Sequence, residues 1–236
     1  MRNKIKTAFL IMALMTPSLV LAQSATNTIY IDQVGDGSNV TLQQQGQSNK
    51  IGSEATPFSL EGSNQNVTFR QDGASNTIDG LVNNADNVDL TINTVGDNNA
   101  VTLDIGGSAS VAGSATTLDI TGSTNTVSLT QGNNAASTGA TQAIAITGDL
   151  NTYTSTINAN DVTNTVTASG DSNTLTLTQN GYAGKNANVS VTGNTNNLTL
   201  NQTSTTHVDS VTVTSVANGT NVIISQCGPS GNCAAH

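Results

Sequence analysis

The chain has 236 residues, 9% of them charged and 3% aromatic, with no tryptophan and 15 acidic against six basic residues. Its 38 threonines, 31 asparagines and 22 glycines are all weak helix formers. Such a composition argues against a helical or α/β enzyme built on large aliphatic and aromatic side chains. Its wealth of β-branched residues also argues against ordinary disorder.

The first segment reads as a targeting signal. Arg2, Lys4 and Lys6 precede an apolar run from Ala8 to Met15, and Val20-Leu21-Ala22 supplies the small-residue end. That three-part order predicts a secretory signal peptide over 1–22, cleaved after Ala22. The apolar run is too short to span a bilayer comfortably, so no membrane insertion is expected once the signal is removed. The processed chain keeps only Lys50, Arg70 and Lys185 as basic residues against the 15 acidic ones, a net charge of −12. Acidity of this degree repels nucleic acid and anionic membrane surfaces.

From 23 to 226 the chain repeats. Gly122, Gly170 and Gly193 are each followed at three residues by asparagine, at five and seven by apolar residues, and at nine by glutamine. Weaker copies centre on Gly35, Gly62, Gly96 and Gly148, and a last copy runs from Val211 to Gln226. About eight units of roughly 22 to 34 residues fall in the range of solenoid repeats. Within each half-unit apolar residues alternate with Thr, Ser, Asn or Asp, the signature of a short strand with one buried face. Glycine-rich tripeptides supply the bends. One strand–turn–strand unit is not stable alone, so the predicted fold is all-β: a solenoid of stacked units whose apolar columns fuse into a thin core. The column read across units is Val40, Val67, Val101, Val127, Leu175 and Leu198.

Polar residues share the inward parity. A glutamine column, Gln44, Gln71, Gln131, Gln179, Gln202 and Gln226, reads as a structural ladder in which each amide donates to one neighbour and accepts from the other. An asparagine column, Asn99, Asn125, Asn151, Asn173 and Asn196, admits the same reading, with turn preference as the alternative. One outward column holds Thr41, Thr68, Thr102, Ser128, Thr154, Thr176 and Thr199. Threonine is a good exposed β-former; an ice-binding face or a glycan-binding adhesin is the rival reading. Unlike residues beside that column (Gln43, Arg70, Asp104, Thr130) weaken a flat two-column ice face.

The segments Gln33-Val-Gly35-Asp-Gly-Ser-Asn39, Gln45-Gly46-Gln-Ser-Asn49 and Gln71-Asp-Gly73-Ala-Ser-Asn76 resemble the curlin repeat. The resemblance implies a subunit of curli type, a secreted functional amyloid of Gram-negative biofilms, found outside the cell or at its surface. It implies copies of the chain itself as partners, together with a nucleating homologue and an outer-membrane export pore. On that reading an open end rung is the working surface for adding further subunits, and the fibre serves biofilm matrix or adhesion.

The tail, 227–236, holds the two cysteines. Cys227 and Cys233 flank a turn-forming pentapeptide, and in an exported protein one disulfide is the expectation. No metal, cofactor or catalytic residue is expected. His207 and His236 are the two histidines, and no nucleophile–base arrangement can be placed around them. Asp36, Asp97, Asp149 and Asp171 follow glycines at the bends, where one aspartate per unit is more often a turn former than a calcium ligand.

Overall fold

The computed structural model describes residues 21–23, 27–34, 39–53, 58–61, 64–73, 75–82, 87–96, 98–105, 113–122, 124–131, 141–148, 150–157, 161–170, 172–179, 184–193, 195–203, 210–216 and 219–226. Among these, all regular structure is β-strand. In chain order the strands form pairs: β1 (Leu21–Gln23) with β2 (Asp32–Val34), β3 (Asn39–Gln45) with β4 (Phe58–Glu61), and β5 (Gln65–Asp72) with β6 (Ile78–Val82). There follow β7 (Val88–Val95) and β8 (Val101–Ile105), β9 (Ala115–Thr121) and β10 (Val127–Gln131), then β11 (Thr141–Thr147) and β12 (Tyr153–Ile157). The series closes with β13 (Thr163–Ser169) and β14 (Leu175–Gln179), β15 (Asn186–Thr192) and β16 (Asn197–Gln202), β17 (Ser210–Val216) and β18 (Asn221–Gln226).

Odd-numbered strands build one nine-stranded sheet and even-numbered strands a second, each in chain order from one end to the other. Every pairing is between consecutive coils and parallel. This is a β-solenoid. Six coils, β5–β6 through β15–β16, carry the full pattern with both strands buried on their inner face. The eight units expected from the glycine spacing thus become six complete coils with less buried ones at either end. Parallel pairing explains why one short unit cannot stand alone: its backbone groups find partners only in the coils above and below.

The core lies between the sheets, one side chain deep from each. In the coil of β7 and β8 it is made by Val88, Leu90, Ile92, Val101, Leu103 and Ile105, none more than 2% exposed. Bulk is balanced locally. Phe58 fills the space that a side chain on Gly80 would take, and its ring meets Phe69 of the facing sheet edge-on at 5.1 Å. Such an aromatic pair adds to its apolar burial. Tyr153 is likewise fully buried, and desolvation pushes its phenol well above the ordinary value.

The register corrects one inference from the repeat. Val40 and Val67 pair with each other, and Val67 pairs onward with Leu90, in the first sheet. Val101, Val127, Leu175 and Leu198 stand in the second. The single apolar column is therefore two, one on each side of the core. Both strands of a coil present apolar residues with the same period of two, so alternation does not say which sheet a strand joins. Aligning on Gly35 and Gly62 shifted the first two units by half a coil.

Candidate functional site

The chain passes from the first sheet to the second through an arc that opens with glycine and has asparagine three residues on. The glycines stacked there are Gly46, Gly73, Gly96, Gly122, Gly148, Gly170 and Gly193. A Cβ on Gly148, whose φ is +155°, would lie 1.5 Å from the carbonyl oxygen of Gly122 in the preceding coil. Only glycine permits that approach. Gly35 and Gly62 lie outside the described residues, and Gly46 and Gly73 take the first two places of this column instead.

Behind the glycines runs a continuous row of buried amides. Asn76, Asn99, Asn125, Asn151, Asn173 and Asn196 each donate from Nδ2 to Oδ1 of the asparagine one coil earlier, at 2.5 to 2.7 Å, beginning with Asn49 as acceptor. All seven are 3% exposed or less. An isolated amide buried this deeply would be costly. Stacked in register, each of the five inner residues both gives and receives. The row also brings in Asn49 and Asn76, which the sequence columns omitted although both stand in the curlin-like segments. At the far end the position after Asn196 is Thr220, since Asn197 pairs with Asn221.

The glutamines do not form one column. Gln44 and Gln71 are neighbours in the first sheet, with Gln71 Nε2 donating to Gln44 Oε1 at 2.7 Å. Each also ties its strand to the arc: Gln44 Nε2 donates to Lys50 O at 2.9 Å, and Gln71 Nε2 to Thr77 O at 3.1 Å. The row then stops, because Gln71 pairs with Thr94 and Thr94 with Ile120. Gln131, Gln179, Gln202 and Gln226 belong to the second sheet, where Ile157 separates the first of them from the rest. There Gln179 Nε2 donates to Gln202 Oε1 at 2.7 Å. Two residues absent from the sequence columns complete this cluster from the first sheet. Gln142 donates to Gln131, and Asn164 donates to Gln179 Oε1 at 2.9 Å. The side chain of Gln226 lies outside the described residues. Their signal was present but faint: Gln142 and Asn164 occupy inward positions that are Val67 and Leu90 in earlier coils.

The outward threonines also divide. Thr41 and Thr68 continue through Thr91 to Thr117 on the first sheet. Thr102, Ser128, Thr154, Thr176 and Thr199 line the second. The column beside these is Asp104, Thr130, Thr156, Thr178 and Asn201. Gln43 and Arg70, which seemed to interrupt it, belong to the other sheet. Three successive coils of the second sheet thus present hydroxyls in both outward columns. Asp104 stands at the edge of this grid, where burial raises its carboxyl above the usual range.

The ends differ from the middle. Val222 and Ile224 of β18 are 38% and 45% exposed, whereas Leu198 and Leu200, their equivalents one coil earlier, are 3% and 0%. Val216 at the end of β17 is 64% exposed as a member of an outward column, in which Val95 of a middle coil is also 41% exposed. At the N-terminal end Val40 and Leu42 are only partly buried. Lys185, counted in the sequence only for its charge, is buried to 1% just ahead of β15. Among the described residues no three His, Cys, Asp or Glu side chains converge as metal ligands, and no helix is long and apolar enough to cross a membrane. Cys227, Cys233, His207, His236, Asp36, Asp97, Asp149 and Asp171 lie outside the described residues.

The chain matches no family model, no curated protein and no solved structure.

Proposed function

We propose that this chain is a secreted structural subunit of curlin kind, which stacks end to end into extracellular cross-β fibres for biofilm matrix or surface adhesion. One observation carries the reading. The terminal coil leaves inward apolar positions open that every complete coil buries under the next. An uncovered parallel edge with an apolar inner row is a template for another strand. The curlin-like segments add a second support, since Gln71, Gly73 and Asn76 of the Gln-x-Gly-x-x-Asn form have definite tasks in the coil. Gln44, Gly46 and Asn49 repeat them. A nucleating homologue and an outer-membrane export pore are the further partners that the resemblance proposes, and the role needs no catalytic residue. The test is incubation of the processed protein followed by electron microscopy and fibre diffraction. Fibres with the strand spacing of about 4.8 Å along their axis are expected. A processed protein that stays monomeric under these conditions refutes the reading.

A second reading rests on the hydroxyl grid of Ser128, Thr130, Thr154, Thr156, Thr176 and Thr178. A flat, regular lattice of this kind suits a monomeric rod that binds ice or another ordered surface. It predicts thermal hysteresis by the monomer that is lost in Thr154→Lys and Thr176→Lys. Absence of hysteresis in the unsubstituted monomer excludes it.

A further inference from the structure

The glycine column and the asparagine row form one seam. A Cβ on any of Gly73, Gly96, Gly122, Gly148, Gly170 or Gly193 would lie 1.4 to 1.6 Å from the carbonyl oxygen of the preceding glycine, and 2.3 to 2.8 Å from Oδ1 of the preceding asparagine. The bare glycine is what lets each coil settle close enough for its asparagine to reach the one before.

The seam stops short of both ends. Thr192 pairs with Val216 and Asn197 with Asn221, so 217–220 take the places of 193–196 in the C-terminal coil. Ala217, next in sequence after Val216, falls in the glycine column, and Thr220 falls in the asparagine row. The last arc is also made differently: Gly219, at the place of Thr195, has a φ of +78°, and Asn221 N–H reaches Asn196 O at 3.4 Å. Asn196 Oδ1 is left buried without a partner, whereas Oδ1 of each earlier asparagine from Asn49 accepts from the next coil. The Thr220 hydroxyl lies 3.3 Å from that of Ser215 instead. At the N-terminal end Ile29 N–H donates to Lys50 O as Ile51 N–H does to Thr77 O, which sets Asn27 one coil before Asn49. Yet Asn27 Nδ2 donates to Gln45 O at 2.9 Å, and Asn49 Nδ2 is buried without a partner. Gln23 pairs with Gln45, so Ser24 stands before Gly46 in the glycine column.

A second copy docking coil on coil lays its β1 and β2 on β17 and β18 of the first. The apolar columns of the second sheet then continue, with Ile29 over Val222 and Ile31 over Ile224. Processing after Ala22 keeps this second-sheet half of the contact and takes two of the three β1 residues from the first sheet. The seam does not continue, because Ser24 follows Ala217 and Asn27 follows Thr220. Strand length and sheet spacing give an end coil roughly 20 Å by 20 Å, about 400 Å² per copy. That is about half of the ~800 Å² that each partner of a stable interface contributes.

We infer that the C-terminal coil is a reversible docking surface for a second copy of this chain, in which Ala217 and Thr220 keep the junction weaker than the interior by interrupting the glycine–asparagine seam. The inference rests on the reading of the chain as a stacking subunit and names the residues that set the strength of its contact. Backbone pairing and apolar columns hold the junction, and the asparagine row does not cross it. A stack therefore comes apart at its junctions while each copy keeps its own coils. Thr220→Asn supplies a donor for Asn196 Oδ1 and an acceptor facing Asn27 of the docked copy. Ala217→Gly removes a Cβ from the glycine column.

The experiment compares the processed chain, its Ala217→Gly variant, and the variant carrying Ala217→Gly with Thr220→Asn. Each is incubated until fibres and soluble protein are in balance, and the monomer left after sedimentation is measured. Hydrogen exchange of the β17 and β18 amides is followed in the monomer. The double variant should leave about tenfold less monomer, equivalent to the ~1.4 kcal/mol of one well-made buried hydrogen bond, and its β17 and β18 amides should be better protected. Ala217→Gly alone should fall short of it on both counts. An unchanged monomer concentration in the double variant overturns the inference, whether or not protection rises, and leaves stacking itself standing. A processed chain that stays monomeric while the double variant forms fibres refutes native stacking but supports the interrupted seam as the reason. If neither forms fibres, both readings fail.

Discussion

The two edges of the coil obey different rules. On one edge five successive coils turn through arcs of five residues, 73–77, 96–100, 122–126, 148–152 and 170–174. On the other the connections run from three residues, 62–64, to nine, 106–114 and 132–140. The arc edge holds the glycine column and the asparagine row, where each coil touches the next through backbone and buried amide. Any change of length there would break both. Among the described residues of the connecting edge a single amide pair is seen, Asn87 Nδ2 donating to Asn64 Oδ1 at 3.3 Å, and the length of the connections varies while the strands stay in register. From β5 onward the unequal spacing of the repeats is thus concentrated on one side of the molecule, while between β3 and β4 the arc edge itself carries twelve residues, 46–57.

The contrast can be broken most severely at the arc. Gly148→Val places a branched side chain against the Gly122 carbonyl and forces a φ of +155° on a β-branched residue. Because the obstacle is backbone that cannot move aside, the loss should exceed about 4 kcal/mol, the range reserved for single substitutions that break a fold. Urea denaturation of the processed monomer should show it as a lost or greatly lowered transition. A smaller effect is expected inside the amide row. Asn125→Leu leaves the Asn151 donor and the Asn99 acceptor unpaired at about 1–3 kcal/mol each. Asn196→Leu leaves only the Asn173 acceptor, so about half the loss is expected. Equal losses at the two positions would show that the row does not act as a chain.

The connecting edge supplies the mild cases. Asp104 sits near the end of β8 with Leu81 and Thr130 as its strand neighbours. Desolvation raises its folded-state pKa. The folded chain therefore holds that proton more tightly than the unfolded one, and ionisation at neutral pH opposes folding. Asp104→Asn should raise the melting temperature at pH 7. The gain should shrink as pH falls through the raised folded value and vanish below the unfolded one, which a comparison at pH 7 and pH 3 would show. The smallest effect is expected from a Gly-Ser insertion after Gln131, in one of the two nine-residue connections of this edge. Loop-closure entropy grows slowly with length, so a shift below about 0.5 kcal/mol is expected. A large loss there would mean that the connecting edge is as constrained as the arc.

Much of this architecture is legible in the order of residues. Strict alternation of apolar and polar residues gives strands with one buried face. Recurrence of Gly-x-x-Asn at 22 to 27 residues gives the coil. The inward parity of glutamine and asparagine exposes them as buried amides needing one another. Half-coil phase is not legible. Val40-Thr41-Leu42-x-Gln44 of the first sheet and Leu175-Thr176-Leu177-x-Gln179 of the second carry the same local pattern, and no neighbour in sequence tells them apart. The same degeneracy merged two glutamine rows into one and two threonine columns into one. It also hid the two-column hydroxyl grid of the second sheet, since Arg70 was set beside Thr130 when they lie on opposite faces. Gln142 and Asn164 were passed over because a single polar residue at an apolar position looks like an exception until its partner across the core is known.

By itself, then, the sequence determined the solenoid, the kind of strand and the residues at the bends, because periodicity and backbone permissiveness act over a few neighbouring residues. Tertiary structure alone decided which strand meets which. Parallel pairing joins residues more than twenty positions apart, and only those pairings turn Asn49 to Asn196 into one hydrogen-bonded row. They also make β3 and β17 the same strand position seven coils apart.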